Sequence, residues 1–255
     1  MSSPLTTQQA MRYNRQISLL GFDLDKQERL CQSSALIIGL GGLGCAASQY
    51  LATSGIAELT LVDDDEVDVT NLQRQVLHTD NDIGHLKVMS AQQALLSLRQ
   101  DIKLNTIAER LDDDALRALI QQHDIVLDCS DNLATRRQLN RLCYATGVPL
   151  VSGAAIRMEG QLFSVIPTKQ TACYDCFSHL LGEQQLSCTE AGVMSPVVGI
   201  IGNLQALEAI KILTDFGDPT INALMIFDAA RGEWQKLNLT PSPQCSTCGE
   251  SRVDI

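Results

Sequence analysis

The sequence predicts an α/β fold: a doubly wound, mainly parallel sheet extended by C-terminal antiparallel strands. Three observations predict it. Short apolar runs of strand length alternate with stretches of helical period from residue 34 to residue 154, the pattern of βαβ units. The first run, "SALIIGLG", breaks into Gly39-x-Gly41-x-x-Gly44 and then into a helix-like stretch, a turn that brings phosphates to a helix N-terminus in Rossmann-like sheets. After Gly160 the alternation stops, and "ALMIFDAARGEWQKLNL" reads as an antiparallel hairpin turning near Arg231 and Gly232.

The elements follow in order. Residues 7 to 32 mix polar and apolar positions suited to short helices and form an N-terminal extension (1–33) ahead of the first strand. Ser34 opens that strand, "CAASQYLATSG" is the following helix, and "AELTLVDDD" from Ala57 is the second strand. Residues 86–99 have helical spacing, "KLNTIAERL" is a third strand, and "DDDALRALIQQH" is a helix opening on acidic residues. "DIVLDCSD" is the fourth strand, "NLATRRQLNRLCYATG" a helix closing at Gly147, and "VPLVSGAA" the fifth strand. Beyond it come strand-like "QLFSVIP", an irregular stretch over 168–192, and the helix "GIIGNLQALEAIKILTDFG". No linker or repeat divides the chain, so residues 1–255 read as one domain, with the nucleotide-binding core at 34–160 and a third part at 161–255.

Composition narrows the function. With 255 residues, 45% of them apolar, the chain can bury a substantial core. A net charge of −11 without a Lys/Arg run argues against a nucleic-acid surface. The N-terminus lacks the apolar core of a signal peptide, and no run reaches the roughly 20 apolar residues of a membrane helix, so the protein is expected in the cytoplasm. Nine cysteines in a reducing compartment then call for metal binding, reactivity or burial.

The glycine loop alone leaves a nicotinamide dinucleotide and a nucleoside triphosphate both open, because Asp63 stands where an acidic side chain takes ribose hydroxyls in either case. The charge pattern favours the triphosphate. Between Arg29 and Arg99 the only cations are Arg74 and Lys87, in a span dense with Asp63, Asp64, Asp65, Glu66 and Asp68. A dinucleotide needs little beyond backbone N–H groups, whereas a triphosphate under attack needs cations and a metal. Asp131, just past the fourth strand, is placed to hold Mg²⁺. The plainer reading makes Arg74 and Lys87 surface cations balancing the aspartates, with Asp64, Glu66 and Asp68 a solvated acidic face.

"RYNRQ" at 12–16, "GLGGLG" at 39–44, Asp63 and Asp65, "TNLQRQ" at 70–75, Lys87 and "DCSDN" at 128–132 together resemble the enzymes that activate ubiquitin-like proteins. "SGAAIRMEGQ" at 152–161 and "CTEAGVMSPVVGIIG" at 188–202 resemble the branch of that family serving molybdopterin synthase. The resemblance spans nearly the whole chain and favours ATP. It implies that Gly42 lets the nucleotide approach the backbone, that Asp63 takes the ribose, that Asn71, Arg74 and Lys87 contact phosphates, and that Asp131 binds Mg²⁺. It implies a homodimer in which Arg15 reaches the triphosphate of the other subunit. The implied substrate is the C-terminal Gly-Gly carboxylate of a small ubiquitin-like sulphur-carrier protein, bound by the 161–255 part and adenylated for molybdenum cofactor biosynthesis. The thiazole-pathway carrier of thiamine biosynthesis is the alternative within the family. An NAD-dependent oxidoreductase and a non-catalytic carrier-binding scaffold are the alternatives outside it. No rhodanese-like extension follows the last cysteines, so a separate sulphurtransferase is the expected sulphur donor.

Cys173-x-x-Cys176 and Cys245-x-x-Cys248 match a closed structural Zn²⁺ site of four thiolates. Cys188 lies before "TEAGVMSP", where some relatives link covalently to the carrier, a step that acyl-adenylate formation does not require. Cys31, Cys45, Cys129 and Cys143 read as small buried hydrophobes, and the four histidines have no catalytic or metal-binding arrangement.

Overall fold

The computed structural model describes residues 4–178 and 191–249. Its centre is an eight-stranded sheet in the order β3-β2-β1-β4-β5-β6-β7-β8. Strands β1 (Ser34–Ile38), β2 (Glu58–Val62), β3 (Lys103–Ile107), β4 (Ile125–Asp128) and β5 (Leu150–Ile156) run parallel. β6 (Glu159–Val165), β7 (Ala223–Asp228) and β8 (Glu233–Asn238) continue the sheet antiparallel. The predicted division into a parallel core and an antiparallel extension is therefore observed, with the hairpin turning at Gly232, whose φ of 71° suits glycine.

The central strands β1 and β4 are apolar from Ala35 to Ile38 and from Ile125 to Leu127 because both of their faces are covered, whereas the edge strand β3 carries Lys103, Asn105 and Thr106. Ala35 and Ile37 of β1 enter one core together with α4 (Gly42–Ser54), α5 (Lys87–Leu98) and α9 (Ser195–Thr214). Leu36 and Ile38 enter the other, beneath α6 (Asp113–Ile120), α7 (Leu133–Thr146) and α8 (Tyr174–Phe177). α7 closes on Gly147 at φ 77°, as its sequence predicts. Among the described residues, α9 is long and apolar enough to cross a membrane, but its Val197, Val198, Ile201, Ala206, Ala209 and Leu213 are spent in the core. At Gly202 it comes so near α4 that a Cβ would stand 2.4 Å from the Leu43 carbonyl oxygen.

The N-terminal extension folds as α1 (Thr7–Arg12), α2 (Asn14–Ile17) and α3 (Asp23–Leu30). Its docking is specific: the side-chain amides of Gln16 and Gln27 donate to the Ser54 carbonyl at 2.9 and 3.0 Å, and Gln16 donates to Gln27 at 2.6 Å. Those bonds satisfy an orphan carbonyl at the C-terminal end of α4. Tyr13, Phe22 and Leu30 are buried at this junction. Cys31, expected among buried cysteines, is only half-buried here, while Cys45, Cys129 and Cys143 are buried.

Candidate functional site

Strand order reverses at β1, which pairs with β2 on one side and β4 on the other. Ligands of open α/β sheets bind at that point, beyond the carboxyl ends of the strands. An open cleft of about 1360 Å³ lies there. It runs from the glycine loop, past Asp131 and Arg136, across Ala154, Ala155 and Gln161 of the sheet, to Tyr174, Asp175, Ser246 and Thr247 beside the cysteine pairs.

The glycine loop is shaped by close approach. Gly39 has φ 95°, and a Cβ on it would lie 2.8 Å from the Cys129 carbonyl oxygen; a Cβ on Gly44 would lie 1.9 Å from the Gly39 carbonyl oxygen. Gly42, the first residue of α4, lines the cleft. A Cβ there would press on Val198 and the Arg74 carbonyl, at 3.0 and 3.2 Å, so the chain's own packing already favours glycine. The N-terminal backbone of α4 is turned into the cleft, where its dipole favours an anion.

Asp63 follows directly on β2 and is fixed by backbone donors. Leu40 donates to its Oδ2 at 2.6 Å and Asp65 to its Oδ1 at 2.9 Å, which leaves each oxygen a second lone pair. Burial raises the Asp63 carboxyl above its ordinary value, opposed by Lys87 and the two amide donors. Lys87 is no surface cation: it opens α5 with its side chain 7% exposed and its Nζ 2.7 Å from Asp65 Oδ2. Arg74 is half-buried and donates to the Thr70 carbonyl at 3.0 Å. Asn71 accepts from Asp68 N at 3.3 Å, closing a capping box on the short helix Val69–Asn71. Asp64 pairs with Arg110 at 2.9 Å, and Asp64, Glu66 and Asp68 are exposed as expected.

Across the cleft, Asp131 is exposed and makes no hydrogen bond or ion pair among the described residues. An exposed carboxylate without a hydrogen-bond partner in an open cleft is the kind of oxygen ligand that suits a hard cation such as Mg²⁺. Behind it stands a pair that the sequence reading missed. Asp128, fully buried at the end of β4, meets Arg136 Nε at 3.0 Å, and Arg136 lines the cleft. A charged residue ending an otherwise apolar strand was the available signal. Gln75 was missed as well; it lines the cleft buried, its Oε1 unpartnered.

The structure thus gathers Gly42, Asp63, Asn71, Arg74, Lys87 and Asp131 around one cleft. It does not bring Arg15 to them. Arg15 is exposed on α2, next to the Gln16 that docks on the C-terminal end of α4, whereas the glycine loop lies at the N-terminal end. At about 1.5 Å per residue a helix of this length separates the two ends by roughly 20 Å.

Cys173, Cys176, Cys245 and Cys248 converge with all four sulfurs within 4.8 Å of one another, Cys173 to Cys245 at 3.5 Å and Cys176 to Cys248 at 3.2 Å. A tetrahedral zinc with bonds of about 2.3 Å would hold such sulfurs about 3.8 Å apart, so the set is compatible with zinc. Thr247 donates to Asp175 at 2.6 Å, bracing one cysteine pair against the other. Cys188 and His179 lie outside the described residues. His78 and His123 are satisfied in the interior, the first against Ser90 and the Leu40 carbonyl, the second against Thr60 and the Leu119 carbonyl.

The ThiF family matches residues 13–247 of the chain. Molybdopterin-synthase adenylyltransferase of Escherichia coli (strain K12) is 52% identical over 246 residues, covering 96% of this chain and 99% of that protein. The sulfur carrier protein ThiS adenylyltransferase of the same organism is 44% identical, covering 96% and 97%. Among solved structures, E. coli MccB with ATP superposes with a TM-score of 0.81 at 26% identity, covering 93% of this chain and 74% of that one.

Asp63 carries a pH signature. Its raised folded-state value means that the folded chain takes up this proton at higher pH than the unfolded chain, whose value is about 3.9. Its ionised form therefore costs stability above the folded value, and acidification through that value relieves the cost. Glu58, Asp82, Asp101 and Asp113 have lowered values and lose stability on acidification instead. Asp63→Asn is expected to make the fall in stability on acidification steeper, read as urea midpoints across the acid range.

Proposed function

We propose, for a chain that belongs to the ThiF family, that this cleft is where it acts as a nucleotidyltransferase of the molybdopterin-synthase adenylyltransferase type. The protein uses ATP to adenylate the C-terminal carboxylate of a small sulphur-carrier protein for molybdenum cofactor biosynthesis. The observation that carries this reading is identity of 52% over nearly the full length of both proteins, against 44% for the thiamine-type relative. NAD-dependent oxidation is not favoured, since the relatives at 52% and 44% identity are both adenylyltransferases.

The chemistry needs little help from acids or bases. A C-terminal carboxylate with a pKa of about 3.3–3.7 is already ionised at pH 7. One of its oxygens attacks the α-phosphorus, the bond from that phosphorus to the bridging oxygen breaks, and pyrophosphate leaves with the electron pair. The product is an acyl-adenylate. The obstacle is bringing an anion to an anion, so alignment and positive charge supply the acceleration. Arg74 and Lys87 are assigned to the phosphates, Lys87 exchanging Asp65 for a phosphate oxygen, with Asn71 beside them. Asp63 is assigned to the ribose through its remaining lone pairs, and Gly42 to the turn the nucleotide rests against. Mg²⁺, held by Asp131, would neutralise charge on the departing pyrophosphate. The carrier tail is assigned to the stretch of cleft over β5 and β6, in the 161–255 part and the residues just before it.

Labelled pyrophosphate should exchange into ATP only when a carrier ending in Gly-Gly is present, the molybdopterin-type carrier outperforming the thiazole-type one. Persistent exchange with a carrier lacking its last glycine would overturn the mechanism. Lys87→Ala and Arg74→Ala should each slow exchange by about 10²–10³-fold, the cost of one stabilising donor.

Zinc is assigned to Cys173, Cys176, Cys245 and Cys248, where it would fasten two distant segments and so couple metal binding to folding. Metal analysis should find one zinc per chain. Cys176→Ser should lower the thermal midpoint more than it alters ATP affinity in the folded fraction.

Arg15 is assigned to the cleft of a second copy in a homodimer, because its own cleft lies at the far end of α4. Closed two-fold assembly is the common solution for such chains. Mixing Arg15→Ala with Asp131→Ala chains, each inactive alone, should restore activity once subunits exchange, since hybrids hold one site free of both changes. Confirmed exchange without activity would return Arg15 to its own subunit or to structure.

A further inference from the structure

The geometry points to Arg136 as a positioning residue for the reaction: held by buried Asp128, it fixes the peptide that presents Asp131 to the nucleotide. This rests on the assignment of Asp131 to the metal.

Asp128 is completely enclosed, and an enclosed carboxylate is tolerable only when its oxygens are satisfied. Here each oxygen has two donors. Oδ1 accepts from Ser130 N at 3.1 Å and Ser130 Oγ at 2.6 Å; Oδ2 accepts from Arg136 Nε at 3.0 Å and Ser152 Oγ at 2.6 Å. The aspartate thus orients the guanidinium and folds the turn after β4 back on itself. One terminal nitrogen of Arg136 then donates to the Ser130 carbonyl at 3.1 Å and to the Gly153 carbonyl at 2.9 Å. The Ser130 carbonyl belongs to the peptide bond that begins Asp131. Arg136 therefore ties the peptide entering Asp131 to β5, the next strand of the sheet, while Asp131 itself has no anchor among the described residues.

A rigid planar fork suits this task and a flexible ammonium does not. Arginine serves three acceptors at fixed angles; lysine keeps the charge opposite Asp128 without holding both carbonyls in place. Neutralising the arginine would leave Asp128 buried and unpaired, which costs the fold. Lysine is accordingly the informative replacement. Outer partners that orient a metal ligand typically change metal affinity by about 10–100-fold when lost.

The test compares wild type, Arg136→Lys, Asp131→Asn and the double variant as full-length chains with ATP bound, using Mn²⁺ as the probe and electron paramagnetic resonance for its affinity. Thermal unfolding checks the fold. Arg136→Lys should weaken Mn²⁺ binding by about tenfold while leaving metal-free ATP affinity unchanged, and should add no loss to Asp131→Asn. Unaltered Mn²⁺ affinity in folded Arg136→Lys, or an equal further loss on top of Asp131→Asn, overturns the positioning role and leaves the Asp131 assignment standing. If Asp131→Asn by itself leaves Mn²⁺ affinity unchanged, that assignment falls and takes this role with it. Should Arg136→Lys not fold, Ser152→Ala removes one donor from Asp128 and should give the same coupled pattern, with a loss of about two- to tenfold.

Discussion

The molecule depends on one close approach, the passage of the turn after β1 against the turn after β4. Gly39 meets the Cys129 carbonyl at a distance that leaves no room for a side chain, and Gly44 meets Gly39 in the same way. These contacts let the chain reverse tightly enough for α4 to begin at Gly42 with its N-terminus over the ends of the strands. From there the order propagates. α4 admits α9 at Gly202, and α9 returns a hydrogen bond to the sheet through Gln205, whose side-chain amide donates to the Asp128 carbonyl at 2.7 Å. The strand end that carries the acidic side of the cleft is thus fastened from the helix that packs on the glycine turn.

Four of the cations that line the cleft are paired with carboxylates of the chain itself. Lys87 faces Asp65, Arg136 faces Asp128, Arg110 faces Asp64 and Arg141 faces Asp113. A chain of net charge −11 thereby keeps Lys87 and Arg136 largely buried at the cleft wall, where an unpaired cation would be costly. The pairs differ in kind. Asp65 is 61% exposed and can turn to water if Lys87 leaves it, whereas Asp128 has no exposure to solvent. The first pair can come apart into water; the second is built into the backbone around it.

The strands, the hairpin and the glycine turn were legible in the sequence because each is written locally, as an unbroken apolar run, a β-turn residue or a glycine at fixed spacing. Gly42, Asp63, Asn71, Arg74, Lys87 and Asp131 were legible as a set because the turn after each strand delivers them to the same edge of the sheet. What escaped depends on partners distant in the chain. Asp128 reads as one more acid until Arg136 and Ser152 are folded onto it. Lys87 was legible as a cation of the site, but its enclosure by Asp65 and the packing of α5 was not. Cys31 reads as buried because cysteine usually is, yet it sits at the half-covered seam where the N-terminal helices dock.

That seam gives α4 the character of a gauge rod. One end is set by the glycine turn and the other by Gln16 and Gln27, which grip the Ser54 carbonyl. Its 13 residues hold the two ends at a set spacing and a set angle at once. Adding or removing one residue would shift the far end by about 1.5 Å and swing it through roughly 100°. The length of this helix is therefore fixed by two surfaces that never touch: even a whole turn, which nearly restores the angle, would displace the far end by about 5.4 Å.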